Sequence, residues 1–297
     1  MQNELLARLN DNIGNLSKGH KKIAEYISSH YDKAAFMTAS KLGSIVGVSE
    51  STVVRFATEL GYDGYPELQK ALKEFTSNKL TTVQRMDVMS DQFAGEDVLT
   101  KVMNFDIDQI KRTLEATDKE DFYRTVDALC EAKTIYVIGA RSASVLARFI
   151  VFYFNVMFDS VKIIHTTSTS EMFEQIINIH ENDIMIGISF PRYSKHTVKA
   201  FKYAKENGAK VIAITDSRTS PIAENADHLL LARSDMASFA DSLVAPMSLI
   251  NALLTAISMR KREYVSNNYN RLERIWEEYE VYEKSDDQDY ASPEDNK

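Results

Sequence analysis

The sequence predicts an α/β protein in two parts, a small all-α unit followed by a doubly wound parallel sheet of five strands. Three observations predict it. Over the first 77 residues, apolar side chains recur at helical spacing. From Thr134 onward, five short β-branched runs, TIYVIGA, SVKIIHT, DIMIGISF, KVIAITD and HLLLAR, are apolar almost without a break. Continuous apolarity, rather than alternation, is what strands buried on both faces need. The first four runs are separated by segments of helical pattern, the alternation that gives a parallel sheet with helices on both faces.

Length and composition agree. The 297 residues suffice for two domains, and 44% hydrophobic with 26% charged residues is the mix of a folded soluble chain. No apolar run reaches the roughly 18 residues that cross a bilayer, so no membrane partner is expected. The opening MQNELLARLNDNIGNL lacks the basic-then-apolar order of a signal peptide. Cys130, the single cysteine, has no internal disulfide partner; it reads as a small buried hydrophobe in a reducing cytoplasm. The net charge of -8 is concentrated in the tail, where Trp276 to Lys297 carries nine acidic residues against two lysines. The first 77 residues hold nine of each sign, so a local basic face for nucleic acid stays open there.

In the helical unit, Ile23, Ile27 and Tyr31 share a helical face, and a short helix opens at Thr38. Gly47 then reads as a helix stop, Ser49 as an N-cap and Gly61 as the next stop, bounding a helix from about Glu50 to Leu60. Two helices around a short glycine-containing turn form a helix-turn-helix. Residues 78–117 read as a linker ending in a helix from about Glu96 to Ala116. The strand-four to strand-five connection, SRTSPIAENAD, has room for one helical turn. The helix from Ala143 to Phe158 is apolar nearly all round and must be covered on every side, by its own domain or by a second copy. Leu272, Ile275, Trp276, Tyr279 and Tyr282 predict a docked terminal helix within 267–297, ahead of a solvated acidic run beyond Lys284.

A DNA-reading helix needs short polar residues at its N-terminal end and an arginine nearby. Ser49, Glu50, Ser51, Thr52 and Arg55 supply these, with Val53, Val54, Phe56 and Leu60 as apolar anchors. On pattern alone, a capped helix in an ordinary small bundle fits equally well. The stretch VSESTVVRFATELGYDGYPELQ, however, resembles the helix-turn-helix signature of RpiR-type bacterial transcription regulators. The resemblance implies that residues 1–77 bind a double-stranded DNA operator through a unit spanning about Thr38 to Ala57, with Lys41 and Lys18 as phosphate contacts.

Two loops carry a second chemistry. GARSASVLA, from Gly139, follows the first strand, and SFPRYS, from Ser189 to Ser194, follows the third. In a doubly wound sheet both lie beyond the carboxyl ends of the strands, where ligands bind. Helix N-termini, hydroxyls and the planar guanidinium forks of Arg141 and Arg192 suit an anion there. Singly, each loop caps a helix as readily as it binds a ligand. Together they are similar to the SIS (sugar isomerase) domain, which forms the C-terminal half of RpiR-type regulators, over residues 118–266. That resemblance implies a phosphosugar effector held by Gly139, Arg141, Ser142, Ser144, Ser189, Arg192, Tyr193 and Ser194. The chain departs from the common pattern by placing Arg141 and Ala143 in a Gly-x-Gly-x-Ser loop. It also loses the middle hydroxyl of a Ser-x-Ser-Gly-x-Thr loop while gaining Arg192.

Isomerising a sugar requires a base beside the carbonyl. Glu171 is placed for that after strand two, or is a first-turn glutamate favoured by the helix dipole. His196 is the one imidazole near the loops, and the other histidines are scattered without metal-ligand spacing, so neither metal nor cofactor is expected. An enzyme would leave the DNA-reading unit idle. The combined resemblance implies a homo-oligomeric regulator, dimer or tetramer, acting as a repressor of sugar metabolism genes under phosphosugar control. A phosphosugar isomerase, or a DNA-binding protein whose SIS domain only dimerises, are the alternatives.

Overall fold

The computed structural model describes residues 16–77, 81–86, 97–165, 168–236 and 240–282. The N-terminal residues read as leaderless, much of the linker and the acidic run beyond Lys284 lie outside these residues.

The helical unit comprises α1 (Lys18–Ser29), α2 (Tyr31–Ala34), α3 (Ala39–Val46), α4 (Glu50–Glu59) and α5 (Tyr65–Ser77). Ser17, Thr38 and Ser49 cap α1, α3 and α4, each hydroxyl accepting from the amide three residues on. Gly47, at φ 72°, closes α3 in the left-handed region. Gly43 serves close packing instead. A Cβ there would come 2.8 Å from the Val48 carbonyl oxygen, so only glycine lets α3 fold back this closely on the turn. Ile23, Ile27, Leu42, Val53, Phe56, Leu68 and Leu72 form the core. Tyr65 and Gln69 both donate to the Met37 carbonyl, at 2.8 and 2.6 Å, and burial pushes the Tyr65 phenol up to about 12.

The second part contains α6 (Val98–Ala116), α7 (Lys119–Glu131), β1 (Thr134–Gly139), α8 (Ala143–Met157), β2 (Val161–Ile164) and α9 (Thr169–Ile176). It continues through β3 (Asp183–Ile188), α10 (Lys195–Glu206), β4 (Lys210–Thr215), β5 (His228–Leu231), α11 (Val244–Arg260) and α12 (Arg262–Glu278). All five strands are parallel, in the order β2-β1-β3-β4-β5. Between β4 and β5 a single 3₁₀ turn, Ala223–Asn225, fills the short connection as its length predicts. Side chains alternate across the sheet. Ile135, Val137, Ile186 and Ile214 pack under α7, α8 and α11, while Tyr136, Ile138, Met185 and Ala213 pack under α9 and α10. Each such aliphatic or aromatic side chain contributes roughly 1.5–3 kcal/mol when fully buried.

Within one chain the apolar helix α8 leaves Val145 56% and Phe152 70% exposed, so of the two expected covers its own domain does not suffice. One expectation needs correction. The terminal helix is docked only at its start, through Val265, Tyr264 and Tyr269; Ile275, Tyr279 and Tyr282 are exposed because the helix outruns the surface of α8 and α11. Cys130 packs against the core half-buried, and desolvation raises its thiol pKa.

Candidate functional site

At the DNA-reading helix, the caps decide what is presented. Ser49 Oγ accepts from Thr52 N at 3.3 Å and sits 2.9 and 2.8 Å from the hydroxyls of Ser51 and Thr52, so three hydroxyls cluster at the start of α4. Val53, Phe56 and Ala57 turn inward, leaving Glu50, Ser51, Val54 and Arg55 on one open face. Arg55 Nε donates to the Ser51 carbonyl at 3.3 Å, which draws the guanidinium along the polar edge of the helix. Lys18 and Lys41 are exposed at the starts of α1 and α3, and Glu59 pairs with His20 across the back of the unit at 2.6 Å. The structure thus brings Ser49, Glu50, Ser51, Thr52 and Arg55 together on one short surface.

The second site lies where the strand order reverses. From β1 the chain winds out to β2 on one side and reaches β3, β4 and β5 on the other, which puts the exits of β1 and β3 side by side. Their register confirms it, with Gly139 opposite Ile188. Gly139 is required because a Cβ would come 2.5 Å from the Ala143 carbonyl oxygen, where α8 turns back over the strand. Arg141 and Arg192, one in each loop, both hold φ in the left-handed region, at 56° and 69°. Among the described residues only Glu280 otherwise does so without being glycine. Such a conformation costs on the order of 1 kcal/mol or more for a residue with a Cβ and gathers at functional loops.

The hydroxyls behave less uniformly than expected. Ser142 is exposed at the mouth of α8 and makes no capping bond. Ser144 Oγ donates to the Arg141 carbonyl at 2.6 Å, and the amides of Ala143, Ser144 and Val145 bond to the carbonyls of residues 140–142, closing α8 with its own backbone. Ser189 is 3% exposed, and its hydroxyl accepts from Ser194 N at 3.3 Å, while Ser194 Oγ caps α10 by accepting from Thr197 N. These two serines therefore shape the loop that presents Arg192 and Tyr193. The start of α9 joins the site through Thr169 Oγ1, which lies 3.2 Å from His196 Nε2. Glu171, the candidate base, is exposed in the first turn of α9, its amide bonded to the Ser168 cap.

One member was missed in the sequence. Asp216, just past β4, accepts the Tyr193 hydroxyl on Oδ1 and Oδ2 at 3.0 and 3.2 Å and lies 3.2 Å from Thr215 Oγ1. Burial pushes its carboxyl above the ordinary value; the hydrogen bonds from Tyr193 and Thr215 oppose the rise, and the charge of Asp235 adds to it. Its position at the carboxyl end of a central parallel strand was the available signal.

Geometry of this kind defines a class: a helix-turn-helix unit followed by an α/β domain with an anion-suited site at its switch point. Residues 3–79 match the helix-turn-helix domain of the rpiR family, and residues 128–256 match the SIS domain. The chain belongs to the RpiR type of helix-turn-helix transcriptional regulator. It is 25% identical over 283 residues to the regulator HexR of Escherichia coli (strain K12), covering 92% of this chain and 94% of that one. Among solved structures, the sugar isomerase domain of an RpiR transcription factor from Sphaerobacter thermophilus is similar at a TM-score of 0.57 and 29% identity, over 59% of this chain and 97% of that one. Vibrio vulnificus NanR, solved in complex with ManNAc-6P, shares the fold across 93% of this chain and 98% of its own, at a TM-score of 0.56 and 22% identity. No helix among the described residues is long and apolar enough to cross a membrane.

Proposed function

We propose that this chain is a cytoplasmic repressor of sugar metabolism genes whose grip on operator DNA is set by a phosphosugar in the SIS domain. In this reading residues 1–77 bind the operator, with Ser49, Glu50, Ser51, Thr52 and Arg55 at base edges and Lys41 at the phosphate backbone. Residues 118–266 hold the effector. Gly139, Arg141, Ser142 and Ser144 face it from one loop, and Ser189, Arg192, Tyr193 and Ser194 from the other.

The observation that carries the reading is the pair of left-handed arginines in adjacent loops. Strain at two neighbouring positions is retained where a bound group repays it. A phosphate accepts bidentate bonds from a guanidinium, and the α10 N-terminus adds its partial positive charge. The complex of NanR with ManNAc-6P supports a sugar phosphate as the class of ligand.

Regulation through spacing of two reading helices requires at least two copies. Leu99, Met103, Ile107, Ile110 and Leu114 form an exposed apolar stripe at helical spacing along α6, and Phe152 stands exposed on α8. Such surface supports a homo-oligomer, dimer or tetramer.

Calorimetry with glucose 6-phosphate, fructose 6-phosphate, N-acetylmannosamine 6-phosphate and inorganic phosphate, paired with gel-shift assays on promoters neighbouring the gene, tests the reading. Binding of a sugar phosphate without turnover, together with a change in DNA affinity, is the expected result. Turnover would establish an isomerase, and DNA binding indifferent to every sugar phosphate would leave the SIS domain as a dimerisation module.

A further inference from the structure

The connector between the two parts is anchored. Residues 81–86 carry Arg85, which is 2% exposed and places Nη1 2.6 Å from Asp241 Oδ1, 156 residues further along the chain. Asp241 belongs to the turn between β5 and α11. That turn is folded on itself: Met236 and Asp241 pair antiparallel, Ser242 N donates to the Asp235 carbonyl at 3.2 Å, and Ser234 Oγ donates to the Ser242 carbonyl at 3.0 Å.

The same turn reaches in two directions. Toward the effector site, Ala232 N donates to the Thr215 carbonyl at 2.8 Å, immediately before Asp216. Toward the connector, it holds Arg85 through Asp241 at 2.6 Å. It is also fastened to α6, by Arg233 N on Thr113 Oγ1 at 2.9 Å, Ser242 Oγ on Asp106 Oδ1 at 2.6 Å and Arg112 with Asp235 at 3.8 Å.

We propose that Arg85 is a positioning residue that clamps the DNA-reading unit to the turn between β5 and α11, so that occupancy of the site beside Asp216 is passed to the reading helix through Asp241. Pulling a buried guanidinium away from a carboxylate 2.6 Å distant is costly, so the connector is drawn along with Asp241 when the turn shifts. A sugar phosphate seated at Arg141 and Arg192 sets its own charge and hydroxyls next to Tyr193 and Asp216, where the turn begins. The relay rests on the phosphosugar reading above; the clamp stands on the Arg85–Asp241 geometry alone.

Two measurements on the full-length protein separate them. The first needs no effector. Spin labels at Lys33→Cys and Lys202→Cys, in a Cys130→Ala background diluted with unlabelled protein, report the distance between the two parts. One narrow distribution is expected for the parent, broadening in Arg85→Ala and Asp241→Ala, and recovery in the charge-swapped Arg85→Asp/Asp241→Arg pair, with circular dichroism showing each variant folded. An unchanged distribution in folded Arg85→Ala overturns the clamp and the relay with it. Where Arg85→Ala does not fold, Arg85→Lys and the swapped pair decide, and broadening in Lys with recovery in the swap is the supporting pattern.

The second compares promoter affinity with and without fructose 6-phosphate or N-acetylmannosamine 6-phosphate. A coupling of about fivefold or more in the parent should collapse in Arg85→Ala while calorimetric affinity for the same sugar phosphate persists. Coupling that survives in the variant overturns the relay. A parent that responds to neither compound removes the phosphosugar reading and the relay together, while the clamp is still judged by the distances.

Discussion

Tyr193 donates its hydroxyl to both carboxylate oxygens of Asp216, tying the loop that carries Arg192 to the end of β4. The bond holds a carboxyl whose pKa burial has raised. A raised carboxyl pKa means the folded state binds its proton more tightly than the unfolded chain. Its contribution therefore favours folding at low pH and is lost as pH climbs from the ordinary carboxylate value of 3.8 through the raised one. The desolvated carboxyl thus contributes progressively less to folding as pH rises. Asp216→Asn, which keeps an acceptor for Tyr193, is expected to melt at higher temperature than the parent at neutral pH and to lose that component of the pH slope. Thermal melts from about pH 4 to about pH 8 check both, and a variant with an unchanged slope would show the carboxyl to be unperturbed.

Arg141 and Arg192 hold a conformation that glycine adopts freely. Replacing either with glycine should relieve strain and stabilise the ligand-free protein by up to about 1 kcal/mol, less the entropy glycine adds to the unfolded chain. The same replacement removes a guanidinium from the site, and sugar phosphate affinity is expected to fall. Denaturant titration and calorimetry on one preparation measure the opposed effects. Loss of stability together with unchanged affinity would detach these arginines from any ligand.

Gly187 lies inside β3, where an added Cβ would come 2.2 Å from Cε2 of the fully buried Phe201. Gly187→Ala is expected to destabilise by about 1–3 kcal/mol through overpacking. Pairing it with Phe201→Leu should recover part of the loss, because the ring edge and the methyl compete for one space. Additive losses in the double variant would argue against that competition.

On the reading helix, Arg55→Ala is expected to cost roughly 1–3 kcal/mol of operator binding and to relax discrimination at one base. Lys41→Ala should weaken all sequences alike and lower the salt slope by about one. Ser49→Ala acts on folding as well as on the reading surface, removing the cap of α4 at about 1 kcal/mol. Fluorescence anisotropy at several salt concentrations separates the first two, and melting temperature isolates the third.

Much of this was legible because local rules and global fold agree. The five apolar runs became the five strands, and Thr38, Gly47 and Ser49 do what cap and stop residues do anywhere. The loops after β1 and β3 were placed together by the general behaviour of doubly wound sheets. Legibility failed where a contact depends on long-range packing. Asp216 acquires its partner from a loop 23 residues earlier, and Arg85 from a turn 156 residues later. Sequence also does not separate the two jobs of a loop hydroxyl, since Ser144 and Ser189 bond within their own loops at the place where a ligand is expected. The tail of α12 carried a helical apolar pattern with no surface beneath it, because periodicity states which residues share a face and not what that face meets.

The strand order also sets a timetable for synthesis. The helical unit draws its core from residues 16–75 and can close as soon as it leaves the ribosome. β1 emerges much later and then waits, one edge open, until β3 has been made, because β2 occupies only its other side. During that interval a nearly all-apolar strand and the α8 helix beside it stand without their final cover, so translation slowed between Val161 and Asp183 should lengthen the period in which nascent chains aggregate or recruit chaperones.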